Sequence, residues 1–311
     1  MAKCSICKRR EAFYVRRYSG ESLCRKCFSE SIENKVRAAI SKYQMFNFND
    51  RIAVAVSGGK DSLNLLHILS KIEKEYPQAS LCAITVDEGI GDYRAESIRI
   101  ASENCEMLRI EHIIVSFKEV YGYTLDEIVK KTRDKGLTPC AYCGVLRRRA
   151  LNIAAKEASA DKIATAHTLD DEIQTFLLNM LHGDYVKAIY SRPKFDREIP
   201  DLIPRVKPFC NVLERESALY AYANRIKFQD KPCPYACEAF RNDIRVYLNR
   251  LEVKHPGVKY TLFRSIEKIR RHIVISPERS TLEPCKICGE PTTDVICQAC
   301  RILGELKLIR Y

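Results

Sequence analysis

The sequence has no apolar stretch of the length needed to cross a membrane, no internal repeat and no low-complexity segment. No segment with the features of a secretory signal precedes the first cysteines. These absences exclude a membrane-spanning helix and a repeat architecture. The sequence therefore predicts a soluble protein of the cytoplasm that has no membrane partner.

The chain also lacks the Walker phosphate-binding pattern G-x-x-x-x-G-K-[ST]. It has instead a short apolar run, 52–56, that predicts a buried strand, and an amphipathic helix pattern follows. Between them stands S-G-G-K-D-S, which is Ser57, Gly58, Gly59, Lys60, Asp61 and Ser62. Two glycines let the backbone fold around a ligand, and a helix start offers bare N–H groups to an anion. The pattern predicts a phosphate-binding turn, and a glycine-rich turn without a ligand is the alternative.

Positive charge is concentrated at the two ends of the chain, whose formal net charge is +12. Residues 1–50 hold 11 Lys and Arg against 5 Asp and Glu, and residues 241–311 hold 14 against 8. The residues between them hold 27 of each sign. Because the whole excess lies in the ends, they predict a polyanionic partner. A solvated basic face without a partner is the alternative.

Eight of the 15 cysteines form two quartets in these same ends. Each quartet consists of two C-x2-C pairs, a spacing that presents four thiolates to one tetrahedral Zn²⁺. Because all four ligands come from the protein, such zinc ions are structural, and disulfides are the less favoured alternative. The predicted ligands are Cys4, Cys7, Cys24 and Cys27 in one zinc ribbon and Cys285, Cys288, Cys297 and Cys300 in the other.

Among the other cysteines, Cys140, Cys143 and Cys233 stand out. Cys140 and Cys143 precede a helical pattern that carries three arginines, and both features favour a thiolate. Cys233 lies between two prolines, on a stiff loop. Three thiolates can hold a [4Fe–4S] cluster with one open iron or act as a redox dithiol. A third zinc site with Cys237 as its fourth ligand also stays open.

Apolar runs predict five strands, near 51–56, 80–86, 111–116, 162–166 and 203–208. Helical periods occur near 31–45, 62–75, 93–108, 124–134, 143–158, 170–182, 213–226, 238–254 and 257–272. The alternation predicts an α/β fold with a doubly wound parallel sheet. We expect a zinc ribbon at 1–30, a linker helix at 31–50, the nucleotide-binding domain at 51–230, a helical extension at 231–280 and a second ribbon at 281–311. Because ligands bind at the carboxyl ends of such strands, we also expect Val86, Asp87, His167 and Asp170 near the ligand.

Several motifs together carry a resemblance to a known family. S-G-G-K-D-S resembles the PP-loop of the ATP pyrophosphatase superfamily, which cleaves ATP between its α and β phosphates. With the cysteine pair, the C-P-Y-A loop and the two ribbons, the chain resembles tRNA 2-thiouridine synthetases of the TtcA/TtuA type. Segments 86–94 (V-D-E-G-I-G-D-Y-R), 143–149 (C-G-V-L-R-R-R), 238–241 (E-A-F-R) and 297–300 (C-Q-A-C) are similar to the archaeal and cytoplasmic tRNA 2-thiolation proteins. Relatives commonly read G-H-N where this chain has Ala166-His167-Thr168.

The resemblance implies a PP-loop domain, of the adenine nucleotide alpha hydrolase-like type, flanked by zinc ribbons. It implies adenylation of the uracil C2 oxygen by ATP, followed by sulfur transfer, at the wobble uridine U34 or alternatively at U54. Lys60 and the Ser57–Ser62 backbone would hold the phosphates, Asp61 or Asp170 would hold Mg²⁺, and Arg147 would stabilise charge near Cys143.

The same resemblance implies a [4Fe–4S] cluster on Cys140, Cys143 and Cys233, although a persulfide mechanism without a cluster stays open. It also implies tRNA as partner, a homodimer, and sulfide, a persulfide or a thiocarboxylated ubiquitin-like carrier as the sulfur donor. Two other functions explain only part of the sequence. A PP-loop synthetase with a small-molecule substrate does not explain the two basic zinc ribbons. A non-enzymatic zinc-ribbon RNA binder does not explain the intact PP-loop.

Overall fold

The computed structural model describes residues 2–132, 138–194, 199, 201–235, 240–273 and 283–306. At the amino end, an antiparallel pair of strands, β1 (Tyr14–Arg16) and β2 (Glu21–Leu23), is followed by a long helix, α1 (Arg25–Lys42). The sequence predicts a helix start near residue 31. The helix in fact begins directly after Cys24, so that Cys27 lies in its first turn.

Five parallel strands form the central sheet, and all five were predicted. They are β3 (Arg51–Ala55), β4 (Ser80–Asp87), β5 (Glu111–Ser116), β6 (Lys162–Ala164) and β7 (Arg205–Val206). Their spatial order is β5-β4-β3-β6-β7, and every neighbouring pair is parallel. From β3 the chain adds β4 and then β5 on one side, and afterwards adds β6 and β7 on the other side. This order confirms the doubly wound sheet. The point at which the order changes direction lies between β3 and β6.

Helices cover both faces of the sheet. They are α2 (Lys60–Glu73), α3 (Gly91–Leu108), α4 (Phe117–Tyr121), α5 (Leu125–Thr132), α6 (Pro139–Glu157), α7 (Leu169–Leu181), α8 (Tyr185–Tyr190), α9 (Glu214–Ala223), α10 (Arg241–Lys254) and α11 (Val258–His272). The carboxyl end adds β8 (Glu283–Pro284), β9 (Pro291–Thr292) and α12 (Gln298–Glu305). The sequence does not predict α4, α8 and α12, because so short a helix shows little of the helical period. Over the described ranges, every helix is too short or too polar to cross a membrane.

Helix α6 begins earlier than the sequence predicts. The apolar pattern places its start at about residue 143, whereas the helix begins at Pro139. Proline is compatible with a first helical position because its missing N–H would have no partner there. Cys140 and Cys143 therefore lie in the first two turns of α6, three residues apart and on one face.

The side chains of the sheet are divided between two cores. Val54 of β3 packs with Leu65 of α2 in the first core, whereas Ala53 packs with Leu146 and Ala150 of α6 in the second. Successive side chains of a strand point to opposite faces, so a strand that is apolar throughout needs a core on each side.

Each ribbon packs into a different core. Phe28 of the amino-terminal ribbon is fully buried in the first core, and Ile302 of α12 is buried in the second. Phe263 and Ile266 of α11 also belong to the first core. The predicted helical extension therefore shares its packing with the nucleotide-binding domain. The predicted alternative ligand Cys237 and the neighbouring residues 236–239 lie outside the described residues.

Candidate active site

The loop between β3 and α2 adopts a conformation that requires glycine. Gly58 has a φ of +83°, and a Cβ atom at this position would lie 2.4 Å from the Ser97 carbonyl oxygen. A larger residue would therefore meet both backbone strain and a clash. The Gly58 carbonyl oxygen accepts a hydrogen bond from the Gln229 N–H at 2.9 Å. The loop is thus held from two sides.

Ser57 and Ser62 close this loop on itself. The Ser62 hydroxyl accepts a hydrogen bond from the Ser57 N–H at 3.1 Å and donates one to the Gly59 carbonyl oxygen at 2.9 Å. Helix α2 begins at Lys60, and the first N–H groups of a helix have no partner within it. The loop can therefore present these amides, together with the positive end of the helix, to a phosphate.

Lys60 and Asp61 lie at the start of α2 as an ion pair. Lys60 Nζ is 2.9 Å from Asp61 Oδ2 and 3.4 Å from Glu214 Oε1. The other Asp61 oxygen, Oδ1, is buried and accepts no hydrogen bond from the residues that the structure describes. Burial raises the pKa of Asp61, although the Lys60 ammonium acts to lower it. A carboxylate oxygen without a partner beside a phosphate-binding loop fits Mg²⁺, which prefers carboxylate, phosphate and water oxygens.

Asp170, the other acid considered for Mg²⁺, has both oxygens engaged. Oδ2 accepts a hydrogen bond from the Glu214 N–H at 2.8 Å, and Oδ1 accepts one from the Lys259 ammonium. Asp170 is 2% exposed, and Lys259 belongs to α11, an element distant in sequence. Asp170 therefore holds α7, α9 and α11 together beneath the site, and Asp61 is the acid with a free oxygen.

Arg94 joins the phosphate-binding loop to the end of β4. Its guanidinium donates hydrogen bonds to the carbonyl oxygens of Ser57 and Val86, each at 2.9 Å. It also forms an ion pair with Glu88 at 2.7 Å, and both side chains are buried. Because buried charges must be paired, this contact fixes the end of β4 against the loop. Val86 and Asp87, the predicted ATP-binding residues of β4, thus lie at the same edge as Ser57.

His167 lies between β6 and α7, at the same edge of the sheet. Its Nδ1 is 2.8 Å from Thr165 Oγ1. Lys207, Arg241 and Arg147 are close enough to act on the ring electrostatically. Because β3 and β6 are neighbours, the loop and His167 flank the point at which the strand order changes direction. Sheets of this kind bind their ligands at that point.

Two site residues, Lys207 and Lys259, were missed by sequence reasoning, and the role of Glu88 was not predicted. Lys207 follows β7, and its Nζ donates a hydrogen bond to the buried Glu172 at 2.6 Å. Glu88 and Lys259 are the buried partners of Arg94 and Asp170. The sequence offered a signal for Lys207, its position after the fifth predicted strand. It offered none for Lys259, whose pairing depends on how α11 packs.

Cys140, Cys143 and Cys233 come together at this edge. The Cys140 thiol donates a hydrogen bond to the Tyr235 carbonyl oxygen at 3.4 Å, which brings the 233–235 loop to the start of α6. All three cysteines interact electrostatically with one another. Their sulfurs are not all within 4.8 Å of one another, in contrast to those of the ribbons. A cluster bonds each cysteine to a different iron, so it holds its thiolates farther apart than a single ion does. The three sulfurs therefore do not form a compact single-ion group like those of the ribbons.

The thiols of this group, which we call the edge cysteines (Cys140, Cys143 and Cys233), differ in exposure. Cys140 is exposed, and the other two are half-buried. Burial raises the pKa of Cys143 to about 11, although the Arg147 guanidinium acts to lower it. The sequence predicts that the helix start and the arginines favour a thiolate. In the folded chain burial outweighs them at Cys143, so the helix start and the arginines do not by themselves favour its thiolate.

The three arginines of α6 point in different directions. Arg147 Nη1 lies 3.6 Å from the buried Glu88 carboxylate, beside the edge cysteines. Arg149 Nη1 lies 3.5 Å from Cys300 Sγ, in the carboxy-terminal ribbon. Because α6 turns by about 100° per residue, adjacent arginines cannot share one face. Helix α6 thus has the edge cysteines on one side and the ribbon on another.

In each ribbon the four sulfurs all lie within 4.8 Å of one another. Cys7 and Cys24 Sγ are 3.9 Å apart, and Cys288 and Cys297 Sγ are 3.6 Å apart. A zinc ion with bonds of about 2.3 Å in a tetrahedron separates its sulfurs by about 3.8 Å, whereas a disulfide requires about 2.05 Å. The geometry therefore fits one zinc ion per ribbon and does not fit disulfides.

Backbone groups prepare both ribbons for metal binding. Burial opposes ionisation of Cys4, yet backbone hydrogen bonds, chiefly from Cys24 and Cys7, lower its pKa to about 6. The equivalent hydrogen bonds lower the pKa of Cys285 to about 6, again against burial. In each ribbon the backbone thus favours the thiolate of the first cysteine, whereas burial raises the pKa of Cys27 and of Cys300.

Comparison with known families agrees with this site. A model for the PP-loop domain matches residues 29–252, and a model for the N-terminal LIM domain of the 2-thiouridine synthetase TtuA matches residues 3–29. The strand, the glycine loop and the helix that follows thus define the chain as a PP-loop protein.

Similar proteins show to which family of PP-loop proteins the chain belongs. The chain is 37% identical to a probable sulfurtransferase of Methanocaldococcus jannaschii, over 96% of this chain and 87% of that protein. It is 34% identical to the tRNA 2-thiolation protein NcsA of Haloferax volcanii, over 99% and 100%. The structure of the U34-tRNA thiolase NcsA from Methanococcus maripaludis with its [4Fe–4S] cluster superimposes with a TM-score of 0.85 at 35% identity, over 98% and 97%. The chain belongs to the tRNA 2-thiolation protein family.

Proposed function

We propose that the protein is an ATP-dependent, AMP-forming tRNA 2-thiouridine synthetase that acts on the wobble uridine, U34. The contacts between the PP-loop and the edge cysteines support this most directly. Arg147 pairs with Glu88, Glu88 pairs with Arg94, and Arg94 donates to the Ser57 carbonyl oxygen. A phosphate-binding loop and a group of thiols therefore open onto one edge. The names of the relatives support tRNA as the substrate and U34 as the position.

The chemistry requires activation before sulfur is transferred, because the C2 oxygen of uracil is a poor leaving group. The C2 oxygen attacks the α-phosphorus of ATP, the bond from that phosphorus to the bridging oxygen breaks, and pyrophosphate leaves. A sulfur nucleophile then attacks C2, the bond from C2 to oxygen breaks, and AMP leaves. With sulfide as the nucleophile, neither carbon nor sulfur changes oxidation state, so no electron donor is needed.

The PP-loop residues would act in the first step. The amides at the start of α2 and the Lys60 ammonium offset the charge of the departing pyrophosphate. The free oxygen of Asp61 would hold Mg²⁺, which neutralises the phosphates further. Val86, Asp87 and His167, at the neighbouring strand ends, would contact the adenosine part of ATP.

The edge cysteines would hold a [4Fe–4S] cluster through three thiolates, since they lie near one another. When bound, such a cluster supplies one iron that has no protein ligand and can bind the sulfur to be transferred. The Arg147 guanidinium lies beside this group and balances the negative charge of the thiolates. The relative whose structure includes a [4Fe–4S] cluster supports the assignment.

The remaining parts would serve binding and assembly. Each ribbon would hold one structural zinc ion, and the basic ends of the chain would bind tRNA. The protein would act in the cytoplasm as a homodimer, with sulfide, a persulfide or a thiocarboxylated ubiquitin-like carrier as the sulfur donor. Relatives named cytoplasmic tRNA 2-thiolation protein 1 support this location.

Lys60→Ala tests the proposal. Protein prepared without oxygen is incubated with ATP, sulfide and tRNA, and the tRNA nucleosides are analysed for 2-thiouridine. We expect Lys60→Ala to lower the rate by about 10²- to 10³-fold, because a charge that meets the leaving phosphates is lost. Lys71→Ala is the matched control, since Lys71 lies at the exposed end of the same helix.

The tRNA itself provides the second arm of this test. A tRNA with cytidine in place of U34 should yield no 2-thiouridine, whereas cytidine in place of U54 should leave the yield unchanged. The opposite pattern would assign the activity to U54. Equal rates for Lys60→Ala and Lys71→Ala would contradict the role of the PP-loop.

A further inference from the structure

A cavity of about 340 Å³ lies between the amino-terminal ribbon and the PP-loop domain. Tyr14 and Tyr18 of the ribbon line it, and so does Val253 of α10. Lys60 and the buried Lys259 also line it. The cavity therefore joins both basic ends of the chain, 1–50 and 241–311, to the start of α2. Its volume is within the range of small-molecule sites in proteins.

Its aromatic wall is held rigidly. The Tyr18 hydroxyl donates a hydrogen bond to Glu216 at 3.1 Å and accepts one from Lys35 at 2.7 Å. Tyr14 packs edge-on against the buried Phe28, with ring centroids 5.2 Å apart. A wall fixed in this way loses little conformational entropy when a flat ligand packs against it.

The acidic groups of the cavity are all engaged by partners within the protein. Asp170 is paired with Lys259, and Glu214 is paired with Lys60. The Glu252 carboxylate accepts hydrogen bonds from two backbone N–H groups at the start of α11, at 2.7 and 3.0 Å. All three acids therefore have partners within the protein, although Lys60 is shared between Glu214 and Asp61.

Two arginines of the lining are still available for an anion. Arg17 and Arg215 are exposed, and neither forms an ion pair with a described residue. The Arg215 guanidinium lies over the Tyr14 ring, 5.7 Å from its centroid. The cavity thus combines an aromatic and aliphatic wall with unpaired cations. This combination is typical of sites that bind the base and the phosphate of a single-stranded nucleotide.

We propose that this cavity is a subsite for an unpaired nucleotide of the RNA substrate, separate from the uridine that is modified. The proposal rests on the proposed function, because it identifies where the same RNA is held. A base of the single-stranded loop would pack against Tyr14 and Tyr18, and its phosphate would meet Arg17 and Arg215. Lys60 lines the cavity and also begins α2, so the subsite adjoins the ATP site and is distinct from it.

Filling the cavity is the direct test. Val253 is 64% exposed on α10, so Val253→Trp should place its ring over the opening without disturbing the core. The control Val246→Trp lies on the same helix, is 44% exposed and does not line the cavity. Affinity is measured for an anticodon stem–loop RNA and for a continuous duplex that has no unpaired nucleotide. Binding of a non-hydrolysable ATP analogue is measured in parallel.

We expect Val253→Trp to weaken stem–loop binding by about fivefold or more, as loss of one stacked base does, and to leave duplex and ATP-analogue binding unchanged. Val246→Trp should stay within about twofold of wild type for all three ligands. The pair Arg17→Ala and Arg215→Ala should lower the preference for stem–loop over duplex. Arg245→Ala with Arg250→Ala, an equal change of charge on exposed α10 positions, should weaken both RNAs alike.

Other outcomes overturn the inference. If Val253→Trp binds the stem–loop as wild type does, the cavity is not an RNA subsite. If it weakens only the ATP analogue, the cavity belongs to the ATP site. A wild-type protein that prefers the stem–loop and responds to Val253→Trp, yet forms no 2-thiouridine, would refute the proposed function and keep the subsite. If the protein forms 2-thiouridine and Val253→Trp binds the stem–loop as wild type does, the proposed function is supported and the subsite is refuted.

Discussion

The ribbon cysteines and the edge cysteines share the C-x2-C spacing but are held by different parts of the fold. In a ribbon, two short knuckles bring four sulfurs within 4.8 Å of one another, and backbone hydrogen bonds lower the pKa of the first cysteine to about 6. At the edge, one helix start supplies two sulfurs and a distant loop supplies the third. Burial there raises the pKa of Cys143 to about 11.

The C-x2-C spacing alone therefore does not determine which kind of metal site a pair of cysteines forms. A ribbon contains its whole ligand set within a short segment, so the set forms wherever the segment folds. The edge set exists only when α6 and the 233–235 loop are both in place, and Cys140 stays exposed. The first arrangement suits a closed structural ion, and the second suits a group that must meet a substrate.

The largest effect is expected from the edge cysteines. Cys140→Ala, Cys143→Ala or Cys233→Ala should each remove the iron–sulfur absorbance and 2-thiouridine formation together, because three thiolates are the minimum for this cluster. Binding of tRNA and of ATP should be retained. The measurements are visible absorbance after anaerobic reconstitution, nucleoside analysis and two binding titrations.

Cys82→Ala and Cys105→Ala are the matched controls, since both cysteines are buried in the cores away from the edge. Both should keep iron and activity. Cys237→Ala should also keep most of the iron, because a fourth protein thiolate would leave no open iron. If Cys140→Ala keeps activity, or Cys237→Ala loses the cluster as fully as Cys233→Ala does, the three-cysteine assignment is wrong.

An intermediate effect is expected from the ribbons, and it should differ between them. Cys24→Ser should lose one zinc and weaken tRNA binding by about tenfold, because it removes several basic phosphate contacts. Cys297→Ser should also lose one zinc and should in addition lower iron retention. The reason is that this ribbon contacts α6 in two ways. Its helix α12 packs on α6, and its Glu290 accepts a hydrogen bond from Asn152 of α6 at 3.2 Å.

Zinc, iron and ATP-analogue binding are measured on both ribbon variants. ATP-analogue binding should be unchanged in each, since the PP-loop belongs to neither ribbon. Equal iron retention in Cys24→Ser and Cys297→Ser would show that the carboxy-terminal ribbon does not support the edge cysteines. Ribbon cysteines found oxidised in the native protein would refute the zinc assignment.

The smallest effect is expected from the arginines of α6. Arg147→Gln should lower the rate of 2-thiouridine formation by about tenfold, since it removes the cation beside Cys143. Arg149→Gln should leave that rate within about twofold and instead speed zinc loss to a chelator, because Arg149 faces Cys300. Equal rates for the two variants would contradict the separation of the two sides of α6.

The sequence predicts the sheet and the ribbons better than it predicts the edge. Short apolar runs such as 52–56 and C-x2-C pairs depend on local sequence, and the structure contains the five predicted strands and both ribbons. The start of α6 was predicted too late, because Pro139 is compatible both with a loop and with a first helical turn. The pairing of Asp170 with Lys259 was not predicted, because it depends on packing between distant helices.

The basic ends illustrate the same limit. Charge counts locate the excess in 1–50 and 241–311, yet they do not show that α11 is part of the core. Phe263 and Ile266 are buried beside the sheet, so removing α11 would expose the first core rather than remove a separate binding unit. Substitutions of exposed arginines therefore test the charge better than truncation does.

The metal content of protein purified without oxygen tests the central comparison most directly. Two closed quartets and one three-cysteine group predict about two zinc, about four iron and about four acid-labile sulfide per chain. About three zinc with no iron would mean that the edge cysteines form another structural site. About two zinc with neither iron nor sulfide, even after anaerobic reconstitution, would contradict the cluster while leaving the ribbons intact.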